Sequence, residues 1–214
     1  MTFITDPLAI ERRSMEIIAP HIENLNLSAD ETKVYSRIIH ASGDTDYAPL
    51  IRIHPGAIAA IKQAIKKGAT IYTDVEMVRT GINKKALAEY GSEVKCLIAD
   101  PKIAVAAKEE GITRAMAAMR SFGTMLSGAV VAIGNAPTAL FEILRLINEE
   151  NILPAAIIGI PVGFVGAAES KKQLAENEKV PYITVEGTKG GSSIAAAAVN
   201  AVLYSLRDDV NSKV

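Results

Sequence analysis

The sequence has 214 residues, which is long enough for one well-buried core and short for two domains, so we expect a single domain over residues 1–214. Hydrophobic residues make up 49% and charged residues 22%, as in globular proteins, and the net charge of −1 argues against a general role on nucleic acid or membrane surfaces. No apolar run is long enough to cross a membrane and the N-terminus lacks a signal-peptide pattern, so we expect a cytoplasmic location.

Two helices are predicted in the first part of the chain. Asp6 supplies an N-cap and Pro7 suits the first helical position, and isoleucines then recur on one face, which predicts a helix to about Asn24. Residues 28–31, Ser-Ala-Asp-Glu, have the pattern of a capping box. The helix that this box opens is expected to end near His40.

From Pro55 onward, helices alternate with short apolar runs. Pro55 opens a helix that should stop at Gly68, where basic residues precede the glycine. The apolar runs of strand length are residues 70–73, 94–99, 129–133, 155–160 and 182–185. Helices are predicted at 83–90, 101–110, 114–126, 137–149, 167–179 and 192–206. This alternation predicts an α/β fold with a mainly parallel sheet of roughly five strands, flanked by helices on both faces.

The residues just beyond these apolar runs are rich in glycine and acidic residues. They are Asp74, Asp100 with Pro101, and residues 134–137, 161–164 and 187–191. In an open parallel sheet the carboxyl ends of the strands lie together at one edge, where ligands bind. Glycine lets backbone N–H groups approach a ligand, and helix starts supply donors for anions. Ordinary turns use the same residue types, so a purely structural role stays open for any one loop.

The most informative stretch is residues 36–52, SRIIHASGDTDYAPLIR. His40 falls at the end of a predicted helix, where the helix dipole favours a protonated side chain, and histidine can hold or give a proton near neutral pH. Chemistry alone leaves open a histidine that only caps the last helical carbonyls. Arg37 lies one helical turn earlier, so the two can share a face, and an arginine fork suits a carboxylate. A solvated helix face is the alternative for Arg37.

Six stretches of the chain carry the motifs of one known family in the same order. They are DPLAIERRSMEII from Asp6, IIHASGDTDYA from Ile38, IYTDVEMVRTGI from Ile71, IGNAPTALFEIL from Ile133, GIPVGFVGAAESK from Gly159 and GTKGGSSIAAAAVNAVL from Gly187. Together they cover most of the chain, and they resemble the precorrin-8X methylmutase family, also called the precorrin isomerases.

The resemblance implies an isomerase of cobalamin (vitamin B12) biosynthesis. The family moves a methyl group from C-11 to C-12 of the macrocycle precorrin-8X or cobalt-precorrin-8, which gives hydrogenobyrinate or cobyrinate. Because this is an isomerisation, no redox or nucleotide cofactor is expected. The resemblance implies that His40 is the catalytic acid. It also implies a homodimer with its sites at the subunit interface.

The resemblance also points to residues that hold the substrate. Ser14 and Arg37 match positions that the family uses to bind side-chain carboxylates, and Arg114 in the run GITRAM is a further match. The other candidates for substrate contacts are Thr80, Gly81 and Asn135. The expected site therefore combines one acid with several groups that bind the carboxylates of a tetrapyrrole.

Two other classes of protein stay open. The run GTKGGSS does not match a phosphate-binding loop because Lys189 precedes the glycine pair, which argues against a flavin- or nucleotide-binding protein. A non-catalytic corrinoid carrier would share the binding residues but would not need His40. A metal site has little support, since His21, His40 and His54 are spaced irregularly and Cys96 has no partner motif. We therefore expect no metal.

Overall fold

The computed structural model describes residues 3–211, which form six β-strands and ten α-helices. The strands are β1 (Ile51–Ile53), β2 (Ile71–Thr73), β3 (Val94–Cys96), β4 (Val130–Ile133), β5 (Ala156–Gly159) and β6 (Tyr182–Val185). The helices are α1 (Pro7–Ile18), α2 (Ala29–Ser42), α3 (Ala57–Lys66), α4 (Glu76–Gly81), α5 (Lys84–Ala88), α6 (Pro101–Glu110), α7 (Arg114–Phe122), α8 (Pro137–Glu149), α9 (Ala167–Ala175) and α10 (Ser192–Asn211). Within residues 3–211, no helix has the length and apolar character needed to traverse a lipid bilayer.

All six strands join one sheet in the order β1-β6-β5-β4-β2-β3. Strands β2 to β6 are parallel, which confirms the predicted mainly parallel sheet. β1 is an additional strand that pairs antiparallel with β6, so the sheet has six strands where the sequence predicts roughly five. The sequence does not predict β1 because it has only three residues and is held by a distant strand. Its position is reinforced by Glu186, whose backbone N–H donates to the carbonyl of Leu50 at 2.9 Å.

Alternate residues of the central strands point to opposite faces of the sheet. In β4, Val130 and Ala132 lie in a core with residues of α2, α3 and α10. Val131 and Ile133 lie in a second core with residues of α7, α8 and α9. A strand buried on both faces reads as a continuous apolar run, which is the pattern seen in the sequence. The helical layers predicted on both faces are therefore confirmed.

The first helix is shorter than predicted. α1 ends at Ile18, whereas the isoleucine pattern predicts a helix to about Asn24. Pro20 cannot continue an α-helix because it has no backbone N–H. The chain instead continues in two 3-10 turns, Ala19–His21 and Glu23–Leu25.

The second helix extends slightly beyond His40. α2 continues to Ser42 and is ended by Gly43, whose φ of 65° lies in the left-handed region that favours glycine. His40 therefore lies in the last turn of α2, as predicted.

α4 is a further helix that the sequence does not predict, because it is a short segment that packs on α10.

The parallel arrangement gathers the loops after β2, β4, β5 and β6 at one edge of the sheet. β1 runs in the opposite direction, so its first residue, Ile51, pairs with Val185 at the end of β6. The connection from α2 to β1 therefore reaches the same edge. There it meets residues 187–191, which we call the glycine loop.

Candidate active site

His40 occupies the last turn of α2, and its side chain is exposed. The helix is fixed at its start by the predicted capping box, in which Ser28 and Glu31 each bond the other's backbone N–H. The side chain of His40 lines a shallow depression between α1, α2 and α10. The residues that form this depression are Pro7, Ile10, Glu11, Arg37, His40 and Tyr204. His40 is thus open to solvent and to a ligand.

Arg37 lies beside His40 in this depression, as the spacing of the two residues predicts. Its Nη2 is 2.7 Å from Oε1 of Glu11 on α1, and its guanidinium lies 5.6 Å from the ring centroid of Tyr204 on α10. The Arg37 and Glu11 side chains are 39% and 47% exposed. Arg37 is therefore a partly exposed cation with one carboxylate partner and an aromatic neighbour, rather than a freely solvated side chain.

An apolar groove adjoins the depression along α1, α2 and α10. It has a volume of about 390 Å³ and shares Glu11, Arg37 and Tyr204 with the depression. Its apolar lining includes Met15 and Ile22. The two hollows together present an apolar floor with charged groups at its rim, which suits a ligand with a flat apolar body and peripheral carboxylates.

Ser14 lies on α1, one helical turn after Glu11. Its hydroxyl donates to the carbonyl of Ile10 within the same helix at 2.9 Å. It is not among the residues that line either hollow in a single chain. The helices that carry Ser14 and Arg37 pack against each other, but within residues 3–211 no hydrogen bond joins the two side chains.

A second charged group lies on the other side of the α2 C-terminus. Nζ of Lys189 in the glycine loop is 2.5 Å from Oδ2 of Asp44 and 5.3 Å from the ring centroid of Tyr47. The hydrogen bond from Lys189 lowers the pKa of Asp44, and the same bond raises the pKa of Lys189. The sequence alone does not identify the partners of Lys189. The signal that could have identified Asp44 is its charge. Asp44 and Lys189 have opposite charges and occur in two motifs that are expected at the same edge of the sheet.

The loop after β4 is held by a buried carboxylate. Asp74, which follows β2, accepts hydrogen bonds from the backbone N–H groups of Gly134, Asn135 and Ala136 at 3.0, 2.9 and 2.7 Å. Burial raises the pKa of Asp74, while the three N–H donors act in the opposite direction. These three hydrogen bonds fix the start of α8, and the side chain of Asn135 remains exposed at the sheet edge.

Arg114 lies at the start of α7 and is exposed. The preceding residue, Thr113, caps the helix, and its hydroxyl lies 2.9 Å from that of Thr138 near the start of α8. The beginning of α7 is therefore close to the turn that carries Asn135. Arg114 and Asn135 therefore lie on neighbouring segments, and neither residue lines the His40 depression.

Thr80 and Gly81 lie at the end of α4. The hydroxyl of Thr80 is exposed but donates to the carbonyl of Glu76 at 2.9 Å. A Cβ on Gly81 would lie 2.7 Å from Cβ of Ala196, so only glycine lets α4 approach α10 this closely. Asn200 also donates to the Gly81 carbonyl at 2.8 Å. In a single chain both residues have local structural partners.

The structure thus brings His40 and Arg37 together, whereas Arg114 and Asn135 lie on two neighbouring segments away from them. Further residues of these surroundings that the sequence does not select are Glu11, Asp44 and Tyr204. Asp74 lies at the carboxyl edge of the sheet, as predicted. Within residues 3–211, no three His, Cys, Asp or Glu side chains are arranged to hold a metal ion. The fold and the site define an α/β protein with an open parallel sheet, whose ionisable groups collect at the carboxyl edge and in an adjoining helical groove.

The chain belongs to the precorrin-8X methylmutase family, whose model matches residues 9–205. A cobalt-precorrin-8 methylmutase of Leptospira interrogans is 42% identical over 201 residues, which cover 91% of this chain and 91% of that relative. A precorrin-8X methylmutase of Sinorhizobium is also 42% identical, over 94% of this chain and 95% of the relative. The solved structure of a precorrin-8X methylmutase from Thermus thermophilus is 38% identical and superposes with a TM-score of 0.84, covering 94% of this chain and 98% of its own.

Proposed function

We propose that this protein is an isomerase of cobalamin biosynthesis that moves a methyl group from C-11 to C-12 of precorrin-8X or cobalt-precorrin-8. The product would be hydrogenobyrinate or, with cobalt, cobyrinate. The observation that carries the proposal is the exposed depression shared by His40 and Arg37, in a chain of the methylmutase family. Relatives named for each of the two substrates match this chain equally well in identity, so both substrates are part of the proposal.

His40 is proposed to act as the general acid. The migration is a rearrangement within the conjugated macrocycle, so the protein has to bind the correct tautomer and exclude water. A protonated His40 would share its proton with a ring nitrogen, which favours the electron arrangement from which the methyl group moves, and would recover the proton afterwards. Proton transfer of this kind contributes about 10²–10⁴-fold, and positioning supplies the remainder.

Arg37 is proposed to bind a side-chain carboxylate of the macrocycle. Its present partner is Glu11, and both side chains are partly exposed, so a substrate carboxylate can replace Glu11 without removing either charge from a buried pair. The remaining proposed contacts are made by Ser14, Thr80, Gly81, Arg114 and Asn135. Within one chain these residues lie outside the His40 depression. The complete site is therefore proposed to include residues of a second chain.

We further propose a homodimer with active sites at the subunit interface, each subunit acting as one domain over residues 1–214 in the cytoplasm. Support for assembly comes from α1, which leaves large apolar side chains in water, including Leu8, Ile10 and Ile17. Such apolar surface next to a ligand groove suits a contact with another chain. Light scattering of the purified protein, with and without product, measures the assembly directly, and a monomer under both conditions would contradict it.

The test of the proposed reaction is turnover of both substrates by the wild type and by His40→Asn. Asparagine keeps the size and one hydrogen-bond donor but cannot carry the proton. We expect turnover to fall by about 10²–10⁴-fold, while binding of the product, read from its visible spectrum, is retained. His21→Asn is the matched control, because His21 is an exposed histidine in a 3-10 turn outside the depression.

The same experiment separates the alternatives. A wild-type protein that binds the macrocycle without converting it would be a carrier, and a flavin would be visible in the absorption spectrum of the purified protein. Near-normal turnover by His40→Asn would remove His40 from the mechanism while leaving the isomerase activity established.

A further inference from the structure

Lys171 on α9 is the largest fully buried side chain within residues 3–211, with 1% of its surface exposed. Lysine is rarely buried without a partner of opposite charge. No carboxylate in the described part of the chain forms an ion pair with Lys171, and burial alone lowers the pKa of its ammonium group to about 8. The proposed reaction assigns no role to this residue, although burying its amino group is unfavourable.

The amino group of Lys171 holds the backbone of the glycine loop. Nζ donates to the carbonyl oxygen of Lys189 at 2.6 Å. A methionine or leucine at this position would fill similar space but could not make this bond. The hydrogen bond is therefore the property that distinguishes lysine here from an ordinary core residue.

The glycine loop is also packed tightly against the loop after β5. The N–H of Gly163 donates to the carbonyl of Thr188 at 3.2 Å, and the N–H of Gly191 donates to the carbonyl of Ile160 at 3.0 Å. A Cβ on Gly190 would lie 2.5 Å from the oxygen of Ile160, so the two backbones approach as closely as glycine permits. Lys171 thus acts on a loop whose backbone position is closely defined.

The side chain of Lys189 links the glycine loop to the segment that carries His40. Its ammonium group is 2.5 Å from Asp44, which lies two residues beyond the end of α2 and accepts a hydrogen bond from the N–H of Asp46 at 2.9 Å. Asp44 is four residues beyond His40 on the same short segment. One continuous series of contacts therefore joins the buried amino group of Lys171 to the end of the helix that presents His40.

We propose that Lys171 is a positioning residue for the methyl shift. It fixes the carbonyl of Lys189, so that the ammonium group of Lys189 holds Asp44 and the end of α2 keeps His40 in place. This inference rests on the proposed function of His40. Lys171 does not touch the substrate in this account, so its loss affects the rate for bound substrate more than the binding.

The test replaces Lys171 by methionine, which preserves length and removes the donor. We expect kcat to fall about 10- to 100-fold, the range for a small misplacement of a catalytic group, with KM and product affinity changed by less than about twofold. The matched control is Lys172→Met, because Lys172 is the next residue of α9 and its side chain is 79% exposed. That variant should keep the wild-type kcat.

A double-variant cycle with Asp44→Asn tests the route of the effect. If Lys171 acts through Lys189 and Asp44, Lys171→Met combined with Asp44→Asn is no slower than the slower of the two single variants. Independent, multiplicative losses would overturn the proposal, as would an unchanged kcat in Lys171→Met. If the methionine variant does not fold, Lys171→Gln, which shortens the side chain and weakens the bond, is held to the same criteria.

Hydrogen exchange gives a readout that does not need turnover. In Lys171→Met we expect faster amide exchange in residues 41–47 and in the glycine loop, but not in the turn that Asp74 holds. Unchanged exchange in residues 41–47 would overturn the positioning role even if the wild type converts neither substrate. Failure of the proposed reaction and failure of the Lys171 proposal are thereby distinguished.

Discussion

Two clusters of arginine and glutamate lie on opposite faces of the sheet. Between α7 and α8, Glu142 is 1% exposed and is held by Arg120 at 3.0 Å and by Arg145 at 2.7 Å. Between α1 and α2, Glu11 and Arg37 meet at 2.7 Å with both side chains partly exposed. The same pair of chemical groups is thus buried in the first of these clusters and open to solvent in the second.

The difference between the clusters indicates which one a ligand can enter. Burial favours the neutral form of Glu142, but the hydrogen bonds from Arg120 and Arg145 outweigh it and lower the pKa of the carboxyl group. Both oxygens of Glu142 are engaged by arginine. A ligand that displaced this carboxylate would leave it buried and unpaired, which is strongly unfavourable. Glu11, when displaced from Arg37, simply returns to water.

The largest effect is expected from Glu142→Gln, which removes the buried charge. Breaking a buried pair leaves the arginines poorly compensated, and because both reach solvent we expect a loss of up to about 3 kcal/mol in the free energy of unfolding at pH 7. Urea denaturation followed by circular dichroism measures it. The control is Glu149→Gln, because Glu149 also contacts Arg145, at 3.0 Å, but is largely exposed.

The effect of Glu142→Gln should depend on pH in a defined direction. The folded-state pKa of Glu142 lies below the ordinary value, so its contribution is complete above the pKa of the unfolded state, about 4.3, and is lost as pH falls through the folded pKa. The gap in unfolding free energy between wild type and variant should therefore narrow in acid. A gap that stays constant down to pH 3 would show that the carboxylate charge is not its source.

A smaller effect is expected from Arg37→Ala, and on binding rather than on stability. Loss of a charge-assisted contact at a partly exposed site should weaken product binding by about 1 kcal/mol, or about fivefold in Kd. Titration of the protein with product, followed in the visible spectrum, measures Kd. Arg13→Ala is the control, because Arg13 pairs with Glu16 on the outside of α1 at 3.0 Å. If the two variants lost equal affinity for the product, Arg37 would act only through the overall surface charge and not through a specific contact.

Much of the fold is predictable because its signals are local. Apolar runs between helices predict the five parallel strands, and the capping box of α2 fixes the helix that presents His40. β1 is not predicted because three residues are too few to show a strand pattern. The strand is defined instead by its pairing with β6. Pro20 marks the end of α1 in the sequence, but the isoleucine periodicity continues past it and predicts a longer helix.

The site is predictable only where its residues share one helix. The spacing of Arg37 and His40 places both on one face of α2, which the structure confirms. Glu11 and Tyr204 reach Arg37 through the docking of α1 and α10, which no local pattern specifies. Lys171 is the clearest case, because it and its exposed neighbour Lys172 are the same residue type and differ only in the face of α9 they occupy.

The smallest effect, opposite in sign, is expected from Glu11→Gln. If a substrate carboxylate has to displace Glu11 from Arg37, removing the Glu11 charge favours the complex by roughly the value of an exposed ion pair, about 0.2–1 kcal/mol. Product Kd should therefore decrease by up to about fivefold, whereas Glu16→Gln, on the outside of the same helix, should leave it unchanged. In the Arg37→Ala background the gain should disappear, because no cation remains for which the two carboxylates compete. Weaker product binding by Glu11→Gln would show that Glu11 orients Arg37 for the ligand instead of competing with the ligand carboxylate. The Glu11–Arg37 pair would then resemble the buried Glu142 cluster, in which the glutamate holds its arginines in place.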